Sequence, residues 1–187
     1  MNDLSPPKFT NPAVTAKGEV RAVVTPGPLR TLWVNTGSLC NLSCAHCYMD
    51  SGPKADHLAY ITRAEVRPFL EEAAALRAED VGFTGGEPFM NPDFPEILAD
   101  ALALGLPVLV LSNATKPLRN RMAAVRALAA AHPGRLAVRV SLDHHTAELH
   151  EQERGPDTFA TALAGMAQLA EAGVRLDVAG RARWGES

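Results

Sequence analysis

Apolar residues along this chain follow two alternating patterns. Short runs rich in valine, leucine and phenylalanine are separated by alanine- and leucine-rich segments whose apolar residues recur with helical period. The runs predict five strands and the segments predict helices. Trp33 and Phe83 fall on strands and are predicted to belong to the core. The predicted strands are Thr31 to Asn35, Val81 to Thr84, Pro107 to Ser112, Arg135 to Ser141 and Val174 to Val178.

Four helices are predicted between and after these strands. The first begins at about Thr62, where Thr62 and Glu65 fit a capping box, and Pro68 is expected to kink it or delay its start. The second begins at Asp93. The third covers roughly Leu118 to Ala131, and the fourth runs from near Asp157 to Gly173. Its predicted buried face consists of Phe159, Ala162, Leu163, Met166, Leu169 and Ala170.

The first thirty residues differ from the rest of the chain. They contain five prolines and no sustained period, so residues 1–30 are predicted to form an extended lead-in and residues 31–187 the folded core domain. Within the lead-in, Val20 to Val24 are expected to form a short edge strand.

The order strand, helix, strand predicts an α/β fold with a parallel sheet, because each helix returns the chain to start the next strand in the same direction. Ligands of such sheets bind at the carboxyl ends of the strands. Polar clusters follow four of the predicted strands: the cysteine loop, the Gly-Gly-Glu of 85–87, the Ser-Asn of 112–113 and the Ser-Leu-Asp of 141–143. The predicted functional edge is therefore the carboxyl edge.

Composition narrows the class of protein. The 187 residues are 47% hydrophobic and 21% charged, with a net charge of −3, which fits one globular domain and argues against disorder. No strongly basic balance favours nucleic acid, and no apolar run is long enough to span a bilayer. Because no basic start leads into an apolar stretch, a cytoplasmic location with reduced thiols is predicted.

All three cysteines of the chain lie close together, at Cys40, Cys44 and Cys47. An odd, clustered set is a poor disulfide framework, so a metal site is predicted. Three thiolates can hold three irons of a four-iron cluster and leave the fourth iron open, since such clusters usually take four thiolates. The alternative is a zinc-binding interaction module with three cysteines and one histidine, His46 or His57.

The spacing Cys40-x-x-x-Cys44-x-x-Cys47, followed by Gly85-Gly86-Glu87 after the next strand, resembles the radical S-adenosylmethionine (radical SAM) enzymes. The context Cys-Asn-Leu-Ser-Cys-Ala-His-Cys-Tyr resembles their cofactor- and peptide-maturing branch. The resemblance covers about Thr31 to Val178. It implies a parallel partial (β/α) barrel, in which a [4Fe–4S] cluster is held by the three cysteines and S-adenosylmethionine chelates the open iron.

The same resemblance implies a set of cofactor contacts. Glycines can approach a ligand closely, so Gly85 and Gly86 would offer backbone carbonyls to the methionine amino group, with Glu87 as a second acceptor. Ala114 stands where the family often has glycine, and we expect the turn there to do without a positive φ. His144, His145 and His150 are left unassigned. The implied cofactor contacts are Tyr48, Gly85, Gly86, Glu87, Asn113, Ser141, Asp143 and Arg154.

The activity implied is reductive cleavage of S-adenosylmethionine to a 5′-deoxyadenosyl radical, which abstracts hydrogen from a peptide or small-molecule substrate. A low-potential electron donor, flavodoxin or ferredoxin, would then be required. The family barrel has six βα units, and five strands are predicted after the lead-in, so the sixth unit is expected to be missing. A second alternative is therefore a truncated, inactive fragment of such an enzyme.

Overall fold

A computed structural model of the chain describes residues 10–181. Its centre is one sheet of five strands, all parallel, in the order in which they occur along the chain. The predicted strands are confirmed to within a residue or two at their ends. They are β1 (Thr31–Asn35), β2 (Asp80–Thr84), β3 (Val108–Ser112), β4 (Leu136–Ser141) and β5 (Arg175–Ala179).

Six helices connect these strands, and a short 3₁₀ turn, Pro88–Met90, follows β2. Because every connection returns the chain to the same end of the sheet, the carboxyl ends of all five strands lie along one edge. The helices are α1 (Arg63–Ala75), α2 (Phe94–Ala103), α3 (Lys116–Asn120), α4 (Met122–Ala131), α5 (Ala147–Arg154) and α6 (Thr158–Glu171).

The start of α1 is built as its sequence predicts. Thr62 and Glu65 form the capping box, and Pro68 lies inside the helix, which nevertheless begins at Arg63. The Asp93 side chain accepts a hydrogen bond from the backbone N–H of Arg63 (3.0 Å), and so ties the start of α1 to the start of α2. Asp100 on α2 adds an ion pair to the Arg63 guanidinium (2.6 Å).

Three predictions about local structure are wrong. The single helix predicted over Leu118 to Ala131 is two helices, because the backbone leaves helical geometry at Arg121. The segment after β4 contains α5, a helix of polar composition with few apolar residues, which was not predicted. Val20 to Val24 form no strand: Val20 makes one isolated bridge to Val14, and no neighbouring strand pairs with the rest of the segment among the described residues.

The hydrophobic core lies between the sheet and its helices. Val34, Phe83, Val110 and Val138 stand in register across the strands and are buried, and the Phe83 ring packs edge-on against Phe94 of α2. Phe83 is therefore core, as predicted. Trp33 is not: it alternates onto the other face of the sheet, lies over Gly82 and is 50% exposed.

The buried face of α6 is narrower than predicted. Its buried residues are Thr158, Ala162, Gly165 and Leu169, whereas Leu163 and Ala170 are exposed. Gly165 brings the helix directly onto the backbone of Ala114, because any Cβ there would collide with the Ala114 carbonyl. No helix among residues 10–181 is long and apolar enough to cross a membrane.

Candidate functional site

The three cysteines line one cavity at the carboxyl edge of the sheet. They lie in the loop after β1, with Cys40 buried and Cys44 and Cys47 half-buried. The loop is tied down at its start, where the Cys40 N–H donates to the carbonyl of Gly52 (3.1 Å). The cavity has a volume of about 240 Å³. The three thiols therefore lie around one shared cavity, as predicted.

Each sulfur has a hydrogen-bond donor aimed at it. The Leu42 N–H points at Cys40 Sγ (3.5 Å) and the Ser51 N–H at Cys47 Sγ (3.3 Å). Arg154 Nη1 lies 3.9 Å from Cys44 Sγ. Donors to sulfur stabilise thiolates and adjust the potential of a cluster bound to them, so this arrangement suits anionic sulfur ligands.

Burial works against these thiolates in the metal-free chain. It raises the pKa of Cys40 to about 11. It also raises the pKa of Cys44, an effect that the cations Arg154 and Arg181 oppose without cancelling. Cys40 and Cys44 therefore stay protonated at neutral pH until a positively charged group binds them, as expected of metal ligands whose binding releases protons.

Gly85 and Gly86 form the opposite wall of the cavity. The Gly86 N–H donates to the carbonyl of Gly37 (2.8 Å), which draws this segment against the start of the cysteine loop. A Cβ on Gly86 would collide with the Leu39 carbonyl and lie 2.6 Å from the carbonyl oxygen of Ser38. Glycine is required here because two backbone segments touch. Because neither glycine has a side chain, the backbone of both residues lines the cavity.

Glu87 lies behind this wall and is 1% exposed. Its carboxylate accepts hydrogen bonds from the Ser112 hydroxyl (3.0 and 3.1 Å) and from the backbone N–H of Asn113 (2.8 Å) and Phe89 (3.2 Å). Burial raises the pKa of Glu87 to about 7, although these donors pull it down. That Glu87 offers an acceptor to a bound amino group stays a prediction, since it is not among the residues that line the cavity.

The turn after β3 carries Asn113 into the cavity wall. The Asn113 amide lies 3.7 Å from Cys40 Sγ and donates to Asn41 Oδ1 (3.1 Å). Ala114 has a φ of +54°, so the expectation that this turn would do without a positive φ is wrong. Alanine is held in the left-handed region because its N–H donates to Ser112 Oγ (3.0 Å) and α6 packs on it.

On the side of the site next to β4 and β5, charged side chains form ion pairs with one another. Asp143 pairs with Arg154 (2.6 Å) and with Arg181 (2.8 Å). Although burial alone would raise the pKa of Asp143, the hydrogen bonds from Arg181 and the charge of Arg154 hold it well below its usual range. Ser141, Asp143 and Arg154 border a second cavity of about 250 Å³ that shares Cys44 and Cys47 with the first.

Glu153 is a site residue that sequence reasoning missed. It is buried at the end of α5, and its carboxylate accepts from the backbone N–H (3.0 Å) and ring Nδ1 (3.1 Å) of His46 and pairs with Arg181 (2.8 Å). Its backbone carbonyl accepts from the Ala45 N–H (2.8 Å). Glu153 thus fixes the segment between Cys44 and Cys47. Neither the unpredicted helix α5 nor Arg181 gave a sequence signal for this contact.

Tyr48 borders both cavities and is 97% exposed. Its ring therefore stands free beside the two thiols that the cavities share. Every implied cofactor contact except Glu87 lines at least one of the two cavities. These residues are Tyr48, Gly85, Gly86, Asn113, Ser141, Asp143 and Arg154.

The histidines do not complete a site for a single metal ion. Among residues 10–181, no three histidine, cysteine or acidic side chains converge as one ion requires. His46 is turned to Glu153, and His57 is exposed. His150 is buried against Phe159 and accepts from the Asp143 N–H through Nδ1 (3.3 Å). The three thiols are instead spread around a cavity, which suits a cluster of several metals.

Five parallel strands with three thiols at their carboxyl edge define an α/β protein with a partial-barrel sheet and a candidate cluster site. The family model described as the radical SAM superfamily matches residues 34–180. The chain belongs to the radical SAM superfamily.

Curated relatives of this chain are named as maturases and haem synthases. The mycofactocin maturase MftC of Mycobacterium ulcerans is 35% identical over 146 residues, which are 78% of this chain and 37% of that protein. The AdoMet-dependent heme synthase of Methanosarcina barkeri is 33% identical over 150 residues, which are 80% of this chain and 41% of that protein. The chain therefore spans well under half the length of these relatives.

A solved structure supports the fold. Streptococcus suis SuiB bound to S-adenosylmethionine superposes with a TM-score of 0.69 at 16% identity, covering 82% of this chain and 34% of that chain. The prediction of a radical SAM partial barrel is confirmed. The division at residue 30 stays a prediction, and residues 1–9 and 182–187, where the lead-in begins and where the loop toward a sixth unit was expected, lie outside the described residues.

Proposed function

We propose that this chain holds a [4Fe–4S] cluster through Cys40, Cys44 and Cys47 and binds S-adenosylmethionine in the two adjoining cavities. The observation that carries the proposal is the shared space: three thiols, each facing a hydrogen-bond donor, border the cavity that Gly85 and Gly86 close. When bound and reduced, the cluster supplies the electron that splits S-adenosylmethionine and yields a 5′-deoxyadenosyl radical.

The protein's part in this activity is to bind, orient and exclude water. The backbone carbonyls of Gly85 and Gly86 would accept from the methionine ammonium, as their lack of side chains permits. The Arg154 guanidinium would receive the methionine carboxylate, with its Nε held by Asp143 (2.6 Å). Tyr48 would cover the adenine, since its exposed ring adjoins the second cavity.

Membership of the radical SAM superfamily supports the proposed reaction class. A peptide or a small molecule would give up a hydrogen atom to the radical, and an external low-potential donor, flavodoxin or ferredoxin, would supply each electron. Structures of SuiB include one bound to precursor peptide SuiA, which supports a peptide as one substrate class. A cytoplasmic location stays part of the proposal, since the donor and the reduced thiols require a reducing compartment.

Anaerobic reconstitution with iron and sulfide tests the binding part of the proposal. We expect an iron–sulfur chromophore and, after reduction with dithionite, an electron paramagnetic resonance signal that changes on addition of S-adenosylmethionine. Cys44→Ala should abolish the signal, whereas Ser43→Ala, its neighbour in the loop, should keep it. Stoichiometric zinc with no iron–sulfur absorbance would contradict the proposal and favour the zinc module.

A further inference from the structure

Positive charge is concentrated in one part of this chain. Between Asp100 and Asp143 the sequence contains no aspartate or glutamate, although the chain as a whole is acidic with a net charge of −3. The same stretch carries six cations, Lys116, Arg119, Arg121, Arg126, Arg135 and Arg139. Such an asymmetry creates a local field that the net charge conceals.

Three of these cations gather on and after α3. Lys116 and Arg119 are exposed, and Arg121 is half-buried. Together with Asn120 they form what we term the α3 face. Two surface cavities of about 340 and 520 Å³ meet there, sharing Lys116 and Asn120, and neither is lined by an acidic residue. Across residues 10–181, no ion pair neutralises these three cations.

The α3 face lies beside the candidate cluster site. Asn41, the residue after Cys40, lines the first of its cavities. Asn41 Nδ2 donates to the hydroxyl of Thr115 (2.9 Å), the residue before α3. The Asn113 amide joins this contact to the thiol, since it reaches both Asn41 Oδ1 (3.1 Å) and Cys40 Sγ (3.7 Å). One layer of side chains therefore separates the cationic surface from a proposed iron ligand.

We propose that the α3 face is the docking surface for an acidic protein that donates one electron at low potential. This inference rests on the proposed function. An acidic donor is attracted to unpaired cations, and a docked redox centre would lie a short, continuous path from Cys40. In each transfer the reduced centre of the donor loses one electron and the cluster gains it, passing from the 2+ to the 1+ state. No proton or leaving group is involved.

A charge-reversal pair tests the docking surface. The variant is Lys116→Glu with Arg119→Glu, and the matched control is Lys17→Glu with Arg77→Glu, which makes the same change of charge at two exposed positions elsewhere. In reconstituted chains supplied with reduced flavodoxin at low ionic strength, we expect the α3 variant to form 5′-deoxyadenosine at least about tenfold more slowly than the parent. With dithionite the parent, variant and control should agree within about twofold.

Salt gives an independent readout. Raising the ionic strength should slow the flavodoxin-driven reaction of the parent and of the control, and leave the α3 variant nearly unchanged, because screening acts only on an attraction that exists. An equal loss with dithionite would overturn the proposal and point to another occupant, such as an acidic peptide substrate. A flavodoxin-driven rate that the charge reversal leaves unchanged would also overturn it.

The two proposals fail separately. If the parent forms no 5′-deoxyadenosine with dithionite, the proposed function fails, and titration calorimetry of oxidised flavodoxin into the reconstituted chain still measures docking. We expect binding by the parent and the control that the α3 variant loses by at least about tenfold. Equal affinity for all three proteins would refute the docking surface by itself.

Discussion

The two sides of the candidate site are formed by different kinds of contact. On the side of β2 and β3, the wall consists of close backbone contacts at Gly85 and Gly86, backed by a buried carboxylate, Glu87, whose hydrogen-bond partners are uncharged. On the side of β4 and β5, Asp143 and Glu153 are paired with arginines. The first side depends on the absence of side chains, and the second depends on charge.

The difference assigns different tasks to the two sides. A wall of bare backbone brings carbonyls and N–H groups within reach of a ligand and cannot tolerate added volume. A wall of ion pairs holds flexible segments in place and presents a cation to an anionic ligand. Substitutions should therefore act through packing on one side and through electrostatics on the other.

The largest effect is expected at Gly86. Gly86→Ala forces a methyl group into the backbone of Leu39 and Ser38, so the wall and the cysteine loop must separate. We expect a loss of stability of about 3 kcal/mol or more and failure to incorporate iron. Urea unfolding and iron analysis after reconstitution measure the two. Gly52→Ala is the control, because its Cβ would meet only ordinary contacts at 3.9 Å. Equal stability and equal iron content of the two variants would contradict the requirement for glycine at position 86.

Glu153 should show the next largest effect. Glu153→Ala leaves the His46 N–H without its buried acceptor and removes one of the two buried carboxylates that pair with Arg181, which should cost about 2–4 kcal/mol in the metal-free chain. Glu153→Gln keeps an acceptor for the His46 N–H and should retain part of the lost stability. Hydrogen exchange at the His46 amide should rise by at least about tenfold in the alanine variant. Unchanged exchange would show that Glu153 does not hold the loop.

Glu87 and Asp143 should respond to pH with opposite signs. The pKa of Glu87 is raised to about 7, so the folded chain binds the proton more tightly than the unfolded chain; its stabilisation is complete below about 4.5 and is lost as pH rises through 7. The pKa of Asp143 is lowered, so its stabilisation is present above about 3.8 and is lost as pH falls.

Urea unfolding of two isosteric variants checks these signs. Between pH 5 and 8, the stability of the parent relative to Glu87→Gln should fall by an amount on the order of 3 kcal/mol. Between pH 6 and 3, the stability of the parent relative to Asp143→Asn should fall as the pH is lowered. Slopes of the same sign for the two pairs would remove the distinction between the two sides.

Ala114 should show the smallest effect. Ala114→Gly relieves a positive φ but removes a buried methyl group and adds freedom to the unfolded chain. These contributions nearly cancel, so we expect a change within about 1 kcal/mol of the parent. Thermal unfolding measures it. A change of several kcal/mol in either direction would mean that the turn is strained, or packed against α6, more than its geometry indicates.

Much of the fold could be predicted because its pattern is local. Runs such as Pro107 to Ser112 identify strands by composition alone. Thr62 and Glu65 mark a helix start because they contact each other and are only three positions apart in the sequence. The three cysteines and Gly85-Gly86 could be located because all follow strands whose carboxyl ends must share an edge.

The missed features depend on contacts between distant parts of the chain. Glu153 meets His46 across 107 residues, and it lies on α5, a helix of polar composition with few apolar residues. The helix breaks at Arg121, where no proline or glycine marks a break in the sequence. Trp33 lies on the opposite face of β1 from Val34 and is 50% exposed, which a strand's own sequence does not reveal.

The central claim is that the cavity lined by Cys40, Cys44 and Cys47 serves radical chemistry on S-adenosylmethionine. The most direct measurement is 5′-deoxyadenosine formed by the anaerobically reconstituted chain with dithionite and S-adenosylmethionine. We predict formation of this product by the parent and none by Cys40→Ala. An intact cluster in the parent that yields no 5′-deoxyadenosine would contradict the claim and leave the chain as an inactive member of its family.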